Sequence, residues 1–120
     1  MVIFSALKLA ARYVLLLRPT PQFIAWLAEK TPVLGSPTLD EVNEDSQSFL
    51  LPVFDDRRHA EQWVNLRWRF FIEQQLLEWV PNRRRWPRKL DRILFAQWFT
   101  PEIHEMVWDL VDEHGQSTVK

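Results

Sequence analysis

The chain has 120 residues, 47% of them hydrophobic and seven of them tryptophan, with a formal net charge of −1 and no cysteine. This length and apolar content suffice for one folded domain, so we predict a single domain over residues 1–120. The lack of cysteine excludes disulfides, thiolate nucleophiles and cysteine-bound zinc, and it is typical of a reducing compartment, so we expect a cytoplasmic protein.

Charged residues are grouped in blocks along the chain. Residues 31–56 hold six acids and no base, whereas residues 57–92 hold ten bases and four acids. Residues 93–120 are acidic again, with five acids and one base. Residues 1–30 hold four bases and one acid. Blocks of opposite sign attract each other or a charged partner, so the near-neutral total conceals two acidic and two basic blocks.

The first 30 residues predict a strand followed by a helix. The aromatic and aliphatic run 13–17 is too short for a buried helix and predicts a buried strand. Thr20 stands just before Pro21, which is typical of a helix start, so we expect a helix over about residues 21–30. Residues 1–11 are expected to be peripheral, and charges interrupt their apolar stretch, so neither a signal peptide nor a membrane span is predicted.

The middle of the chain predicts a loop, a second strand and a long helical segment. Residues 31–48 are rich in proline and acids and indicate a loop. The apolar run 49–54 predicts a strand, and Pro52, which has no N–H, favours a sheet edge or a bulge. Residues 56–80 contain no proline or glycine, so they predict one long central helix, or two helices joined by a kink, with apolar residues on two sides.

Two segments in the last part of the chain are candidates for the third strand. Residues 90–99 fit a short helix about as well as a strand. Residues 102–111 place Met106, Leu110 and Val111 at helical spacing, but they are also rich in strand-forming residues. The polar tail 112–120 is expected to fray. Together the elements predict an α+β domain in which helices cover a small sheet of about three strands.

Three parts of the sequence resemble a family of small bacterial proteins of unknown function. They are the run 48–56, the connection 79–87, and Gln97-Trp98-Phe99 followed by 103–110. In that family an acidic stretch precedes a strand, a long helix follows, and a Trp-Phe helix end leads into a final strand. The resemblance covers roughly residues 12–112. It implies an α+β fold with the last strand near residues 102–111, and it carries over no catalytic residue.

No motif commits the chain to a catalysed reaction. Only two glycines are present, so neither a dinucleotide-binding loop nor a phosphate-binding P-loop can be built. No serine lies in a Gly-x-Ser-x-Gly elbow. We therefore predict that the protein is not an enzyme and has no cofactor.

Two histidines are the residues closest to a metal or acid–base site. His59 follows Asp56 by three residues, and His104 stands between Glu102 and Glu105. A mixed histidine and carboxylate site is conceivable if the fold brings them together. However, an acid three residues before a histidine equally fits a helix cap and its first turn, so we predict no metal site.

The basic segment, residues 83–89, is a candidate anion-binding site. Its cations surround Trp86, and this composition suits phosphates and nucleobases. The chain as a whole is slightly acidic, whereas dedicated nucleic-acid binders are strongly basic. Nucleic-acid binding is therefore not favoured over pairing with the acidic block 40–56, within one molecule or across a dimer. The cations are Arg83, Arg84, Arg85, Arg88 and Lys89.

The seven tryptophans divide into two groups. Trp26, Trp63 and Trp98 are in phase with neighbouring aliphatic residues and are expected to be buried. The other four lie off the apolar stripes beside charged residues, so each one that is exposed becomes a candidate interface residue. They are Trp68, Trp79, Trp86 and Trp108. We predict a non-enzymatic protein-interaction module or homodimer, with nucleic-acid binding through residues 83–89 as the alternative.

Overall fold

A computed structural model describes residues 8–9, 13–30, 38–44 and 47–119. The fold is α+β, as the sequence predicts, with a three-stranded antiparallel sheet of order β3-β2-β4. The elements in chain order are β1 (Lys8–Leu9), β2 (Tyr13–Pro19), α1 (Pro21–Lys30), α2 (Leu39–Glu44), β3 (Ser48–Leu51), α3 (Arg57–Leu66), α4 (Trp68–Trp79), a 3-10 helix (Arg83–Arg85), α5 (Arg92–Trp98), β4 (Phe99–His104) and β5 (Trp108–Asp109).

The central strand β2 organises the sheet. Leu15 is opposite Phe49 of β3 on one side and opposite Ile103 of β4 on the other. The odd-numbered residues of β2 are buried, whereas Leu16 is half-buried and Arg18 is exposed. Because successive side chains of a strand point to opposite faces, the odd-numbered residues form the face that the helices cover.

The third strand, Phe99–His104, overlaps the end of one segment considered for it and the start of the other. Residues 92–98 form α5, and β4 starts at Phe99 and includes Thr100 and Pro101. A proline is tolerated there because β4 lies at the edge of the sheet, where a missing N–H leaves no neighbouring strand unpaired. β3, which ends at Leu51 just before Pro52, is the other edge strand.

Of the two arrangements predicted for residues 56–80, the structure has two helices, α3 and α4, separated at Arg67, and not one long central helix. A straight helix over residues 57–79 would be roughly 35 Å long, whereas a seven-residue strand such as β2 spans only about 23 Å. The break lets both helices pack within the length of the sheet. The Arg67 guanidinium stabilises the end of α3, since it donates to the Trp63 carbonyl at 3.3 Å and lies 4.1 Å from the Trp63 ring centroid.

An aromatic cluster holds α1 against the corner between α5 and β4. Phe23 is fully buried, with its ring 5.3 Å from that of Trp98 and 4.8 Å from that of Phe99. Thr20 ties the same elements together, because its N–H donates to the Trp98 carbonyl at 2.9 Å and its hydroxyl donates to the Gln97 carbonyl at 2.6 Å. The predicted helix 21–30 is confirmed.

The predicted loop 31–48 contains the short helix α2, whose Val42 is buried. Residues 31–37 and 45–46 of that loop lie outside the described residues, as do residues 1–7 of the peripheral N-terminal stretch. In the described part of the chain, no helix is both long enough and apolar enough to cross a membrane.

A two-stranded sheet extends the fold beyond β4. β1 pairs with β5, so that Leu9 is opposite Trp108. The chain then turns back: the N–H of Thr118 donates to the Leu110 carbonyl at 2.8 Å, and Gly115 adopts the positive φ of 76° that the turn requires. The tail from residue 112, which the sequence predicts to fray, forms this turn at the periphery of the fold. We call residues 105–119 the C-terminal ribbon.

We expect Phe23→Ala to lower the free energy of unfolding by about 3–5 kcal/mol, because it removes the ring that α1, α5 and β4 share. Urea denaturation followed by far-ultraviolet circular dichroism measures this change. Ile93→Ala, on the exposed side of α5, is the matched control and should change stability by less than about 0.5 kcal/mol. Equal midpoints for the two variants would contradict the assigned core.

Candidate interaction surfaces

Of the three tryptophans expected in the core, only Trp98 is fully buried, at 5% exposure. Trp26 and Trp63 are half-buried and pack against the core. The expectation of full burial therefore does not hold for these two. The reason is their position at the rim of the aromatic clusters, where one side of each ring contacts Phe23 or Phe71 and basic side chains lie over the rings.

Three of the four candidate interface tryptophans also pack against the core. Trp68, Trp79 and Trp86 are half-buried. The indole N–H of Trp86 donates to the Val80 carbonyl at 2.7 Å, which fixes the ring beneath the basic segment. These three side chains have a packing role. Trp108 alone of the seven is exposed, at 45%.

Basic side chains lie over four of the half-buried indoles and reduce their contact with water. The cation and ring centroid are between 4.1 and 5.9 Å apart in every pair. Such cation–π contacts let the stem of the basic residue cover apolar surface while its charge stays solvated. The pairs are Lys30 with Trp26, Arg67 with Trp63, Arg69 with Trp68, and Arg83 with Trp86. Within the described residues, Trp108 has no such covering cation.

The C-terminal ribbon concentrates the exposed apolar side chains of the molecule. Ten large hydrophobic side chains are exposed in the described residues, and five of them belong to the ribbon. Trp108 and Leu110 are two residues apart and share one face, whereas Val111 and Val119 belong to the other. The five are Met106, Trp108, Leu110, Val111 and Val119. The sequence pattern misses most of this surface, because helical spacing assigns Met106, Leu110 and Val111 to the buried side of a helix.

The ribbon is also acidic. It carries four acids and no lysine or arginine. Glu105 pairs with Arg57 of α3 at 3.3 Å. Asp109 and Asp112 shape the ribbon, since their carboxylates accept backbone N–H groups at 2.8–3.1 Å, including that of Val111. Carboxylates therefore surround the exposed apolar side chains.

The basic segment lies on a surface turn. The side chain of Asn82 accepts the N–H of Arg84 at 3.1 Å, which starts the 3-10 helix. The Arg83 guanidinium lies 4.7 Å from the Trp86 ring centroid, and Arg85 donates to the Lys30 carbonyl. All five cations of the segment are exposed. Among the residues that the structure describes, none of them forms an ion pair with the acidic block 40–56.

The structure places the two candidate histidines in separate local arrangements. Asp56 is the N-cap of α3 and accepts the His59 N–H at 2.9 Å, while the His59 ring lies 3.5 Å from the same carboxylate. The His104 ring lies 3.0 Å from Glu102. The described residues contain no group of three or more histidine, aspartate or glutamate side chains that could hold a metal ion.

Two groups near the edges of the sheet have shifted pKa values. The hydrogen bond from Arg18 lowers the pKa of Glu102, and the contact with His104 acts in the same direction, against partial desolvation. Desolvation raises the pKa of Tyr13, and the neighbouring charge of Glu105 adds to this effect. The Tyr13 hydroxyl donates to the Phe54 carbonyl at 3.1 Å.

Comparison with known proteins gives no relative: no family model, no curated protein and no solved structure matches the chain. The resemblance to a small bacterial family therefore stays a prediction.

We expect Glu102→Gln to lower stability near neutral pH and to have a smaller effect in acid. The pKa of Glu102 is lowered from 4.5 in the folded state, so its ion pair with Arg18 stabilises the fold above that value. This stability is lost as the pH falls through the folded pKa. Urea midpoints of both proteins at about pH 7 and about pH 3 test this.

Glu61→Gln is the control for that measurement, since Glu61 is exposed and has no ion pair within the described residues. Its midpoint should differ from that of the wild type by the same small amount at both pH values. A Glu102→Gln difference that persists unchanged in acid would rule out the ion pair as its source.

Proposed function

We propose that the protein is a non-enzymatic interaction protein of the cytoplasm that forms a homodimer through its C-terminal ribbon. The observation that carries the proposal is the concentration of exposed apolar side chains in the ribbon. Exposed apolar side chains with a polar rim are typical of binding surfaces, and Trp108 and Leu110 share one face of the ribbon. Trp108 is the natural anchor, because buried tryptophans dominate binding energies at interfaces.

Charge supports a second copy of the chain as the partner. The ribbon has four acids, and the basic segment has five exposed cations that form no ion pair with the acidic block in the described part of the chain. Each molecule therefore carries an acidic surface, the ribbon, and a basic surface, the basic segment, and these two surfaces are complementary in charge. In a two-fold symmetric dimer each such contact occurs twice, and opposite charges steer the two copies together.

We expect wild-type protein to show a concentration-dependent mass in sedimentation equilibrium, rising from the 14.5 kDa monomer towards the dimer. Trp108→Ser should raise the dimer dissociation constant at least about tenfold, because it removes the exposed anchor. Added salt should weaken the dimer as well, because it screens the pairing between the ribbon and the basic segment.

Ile93→Ser is the matched control. Ile93 is more exposed than Trp108, at 68%, but it lies on α5 and outside the ribbon. Its dissociation constant should equal that of the wild type. A wild-type mass of 14.5 kDa at every concentration would reject the homodimer.

The alternative function is nucleic-acid binding through the basic segment. The specific observation that favours it is the arrangement of Arg83 over Trp86 beside the exposed Arg84, Arg88 and Lys89. Aromatic rings with neighbouring guanidinium groups bind single strands by stacking and phosphate pairing, without a need for base-specific contacts.

We expect a single-stranded oligonucleotide to be retained with the protein in filter binding at low salt if this alternative holds. Retention should fall steeply with added salt and be lost in the double variant Arg84→Glu and Arg88→Glu. Arg58→Glu, an exposed arginine of α3, is the control and should keep most of the affinity. Absence of salt-sensitive retention of the wild type would exclude the alternative.

A further inference from the structure

A groove with a volume of about 420 Å³ separates the α3–α4 break from the corner between α5 and β4. Its volume lies in the range of small-molecule sites, roughly 300–1,000 Å³. Phe95 and Phe99 line it with rings that are themselves buried, and Trp68 forms a half-buried wall. Ala96 and Pro101 complete the apolar lining, so the accessible apolar surface of the groove comes from Trp68, Ala96 and Pro101 above the buried phenylalanines.

Three polar side chains converge on this apolar surface. Asn65, Arg92 and Thr100 line the groove. None of the three side chains has a hydrogen-bond or ion-pair partner among the described residues. An apolar groove with a few convergent polar groups is the usual form of a small-molecule site. These groups can therefore serve a ligand without breaking an existing contact.

The charge of the lining selects the ligand. Arg92 is the one ionised side chain of the groove, and a planar guanidinium suits a carboxylate, which it can bind through two parallel hydrogen bonds. A smaller depression of about 240 Å³ adjoins the groove through Asn65 and Pro101, and Glu61 lines it. The Glu61 carboxylate repels a second negative charge on the ligand. The electrostatics thus favour a monoanion over a phosphate dianion, which one cation would only partly neutralise.

We propose that the groove binds a small organic monocarboxylate with a flat apolar body. The carboxylate pairs with the Arg92 guanidinium, and the Thr100 hydroxyl and the Asn65 amide supply further donors. The apolar body lies on Trp68, Ala96 and Pro101, which are the accessible apolar residues of the lining. The site lies outside the C-terminal ribbon and the basic segment, so it is independent of dimer formation and of nucleic-acid binding.

Titration of ¹⁵N-labelled protein with 1-naphthylacetate, monitored by amide and indole chemical shifts, tests the site. We expect shifts at Ala96, Thr100 and the Trp68 indole. The uncharged 1-naphthylacetamide has the same apolar body and should bind about tenfold more weakly, because it cannot form the charge-assisted pair with Arg92.

Two variants and a control make the test decisive. Arg92→Gln should weaken naphthylacetate about tenfold and remove its advantage over the amide. Ala96→Leu, at an exposed position of α5 where leucine favours the helix, should fill the groove and weaken both probes. Arg58→Gln removes an exposed arginine of α3 that lies outside the groove and outside the basic segment, so it should leave the affinity unchanged. Equal affinity of the two probes, or shifts that do not involve these groove residues, would overturn the proposal.

Discussion

The packing of Phe23 against Trp98 and Phe99 is the contact on which the rest of the structure depends. It joins the first helix to the turn between α5 and β4, more than 70 residues later in the chain, and the Thr20 hydrogen bonds to the Gln97 and Trp98 carbonyls lie at the same junction. Because β4 starts at Phe99 and pairs with β2 from Val14 to Pro19, this junction also determines where the third strand begins. The groove lies at the same corner between α5 and β4, because Phe95 and Phe99 belong both to the core and to the groove lining.

The distribution of tryptophan and arginine explains how a chain so rich in indole limits its exposed apolar surface. Basic side chains cover four half-buried rings, and many of these cations are sequence neighbours of the ring that they cover, such as Arg69 beside Trp68. The composition of residues 57–92, in which aromatic and basic residues alternate, thus has a structural use apart from any binding of anions. Trp108 lies in an acidic part of the chain where no arginine or lysine follows within ten residues, and its ring is exposed.

Several features of the fold and of the candidate sites were predictable because their signals are local. The apolar run of β2, the Thr20–Pro21 start of α1 and the Asp56 cap of α3 are read from a few adjacent residues, and the structure confirms each of them. The basic segment was predictable for the same reason. The position of the break at Arg67 was not predictable, because no proline or glycine marks it. The break fits the helices to the length of the sheet, and other parts of the chain determine that length.

By itself the sequence determined the α+β class, the position of the central strand and its following helix, and the blocks of charge, since composition and short-range periodicity decide these features. Only the tertiary structure decided which tryptophan is exposed, where β4 begins and which residues line the groove. Asn65 and Trp68 flank the α3–α4 break, whereas Arg92 begins α5 more than 20 residues later, and no sequence pattern links the two places. Their proximity results from packing between elements that are distant in sequence. Long-range contact also overrides the helical spacing of Met106, Leu110 and Val111, because β5 pairs with β1 at the other end of the chain.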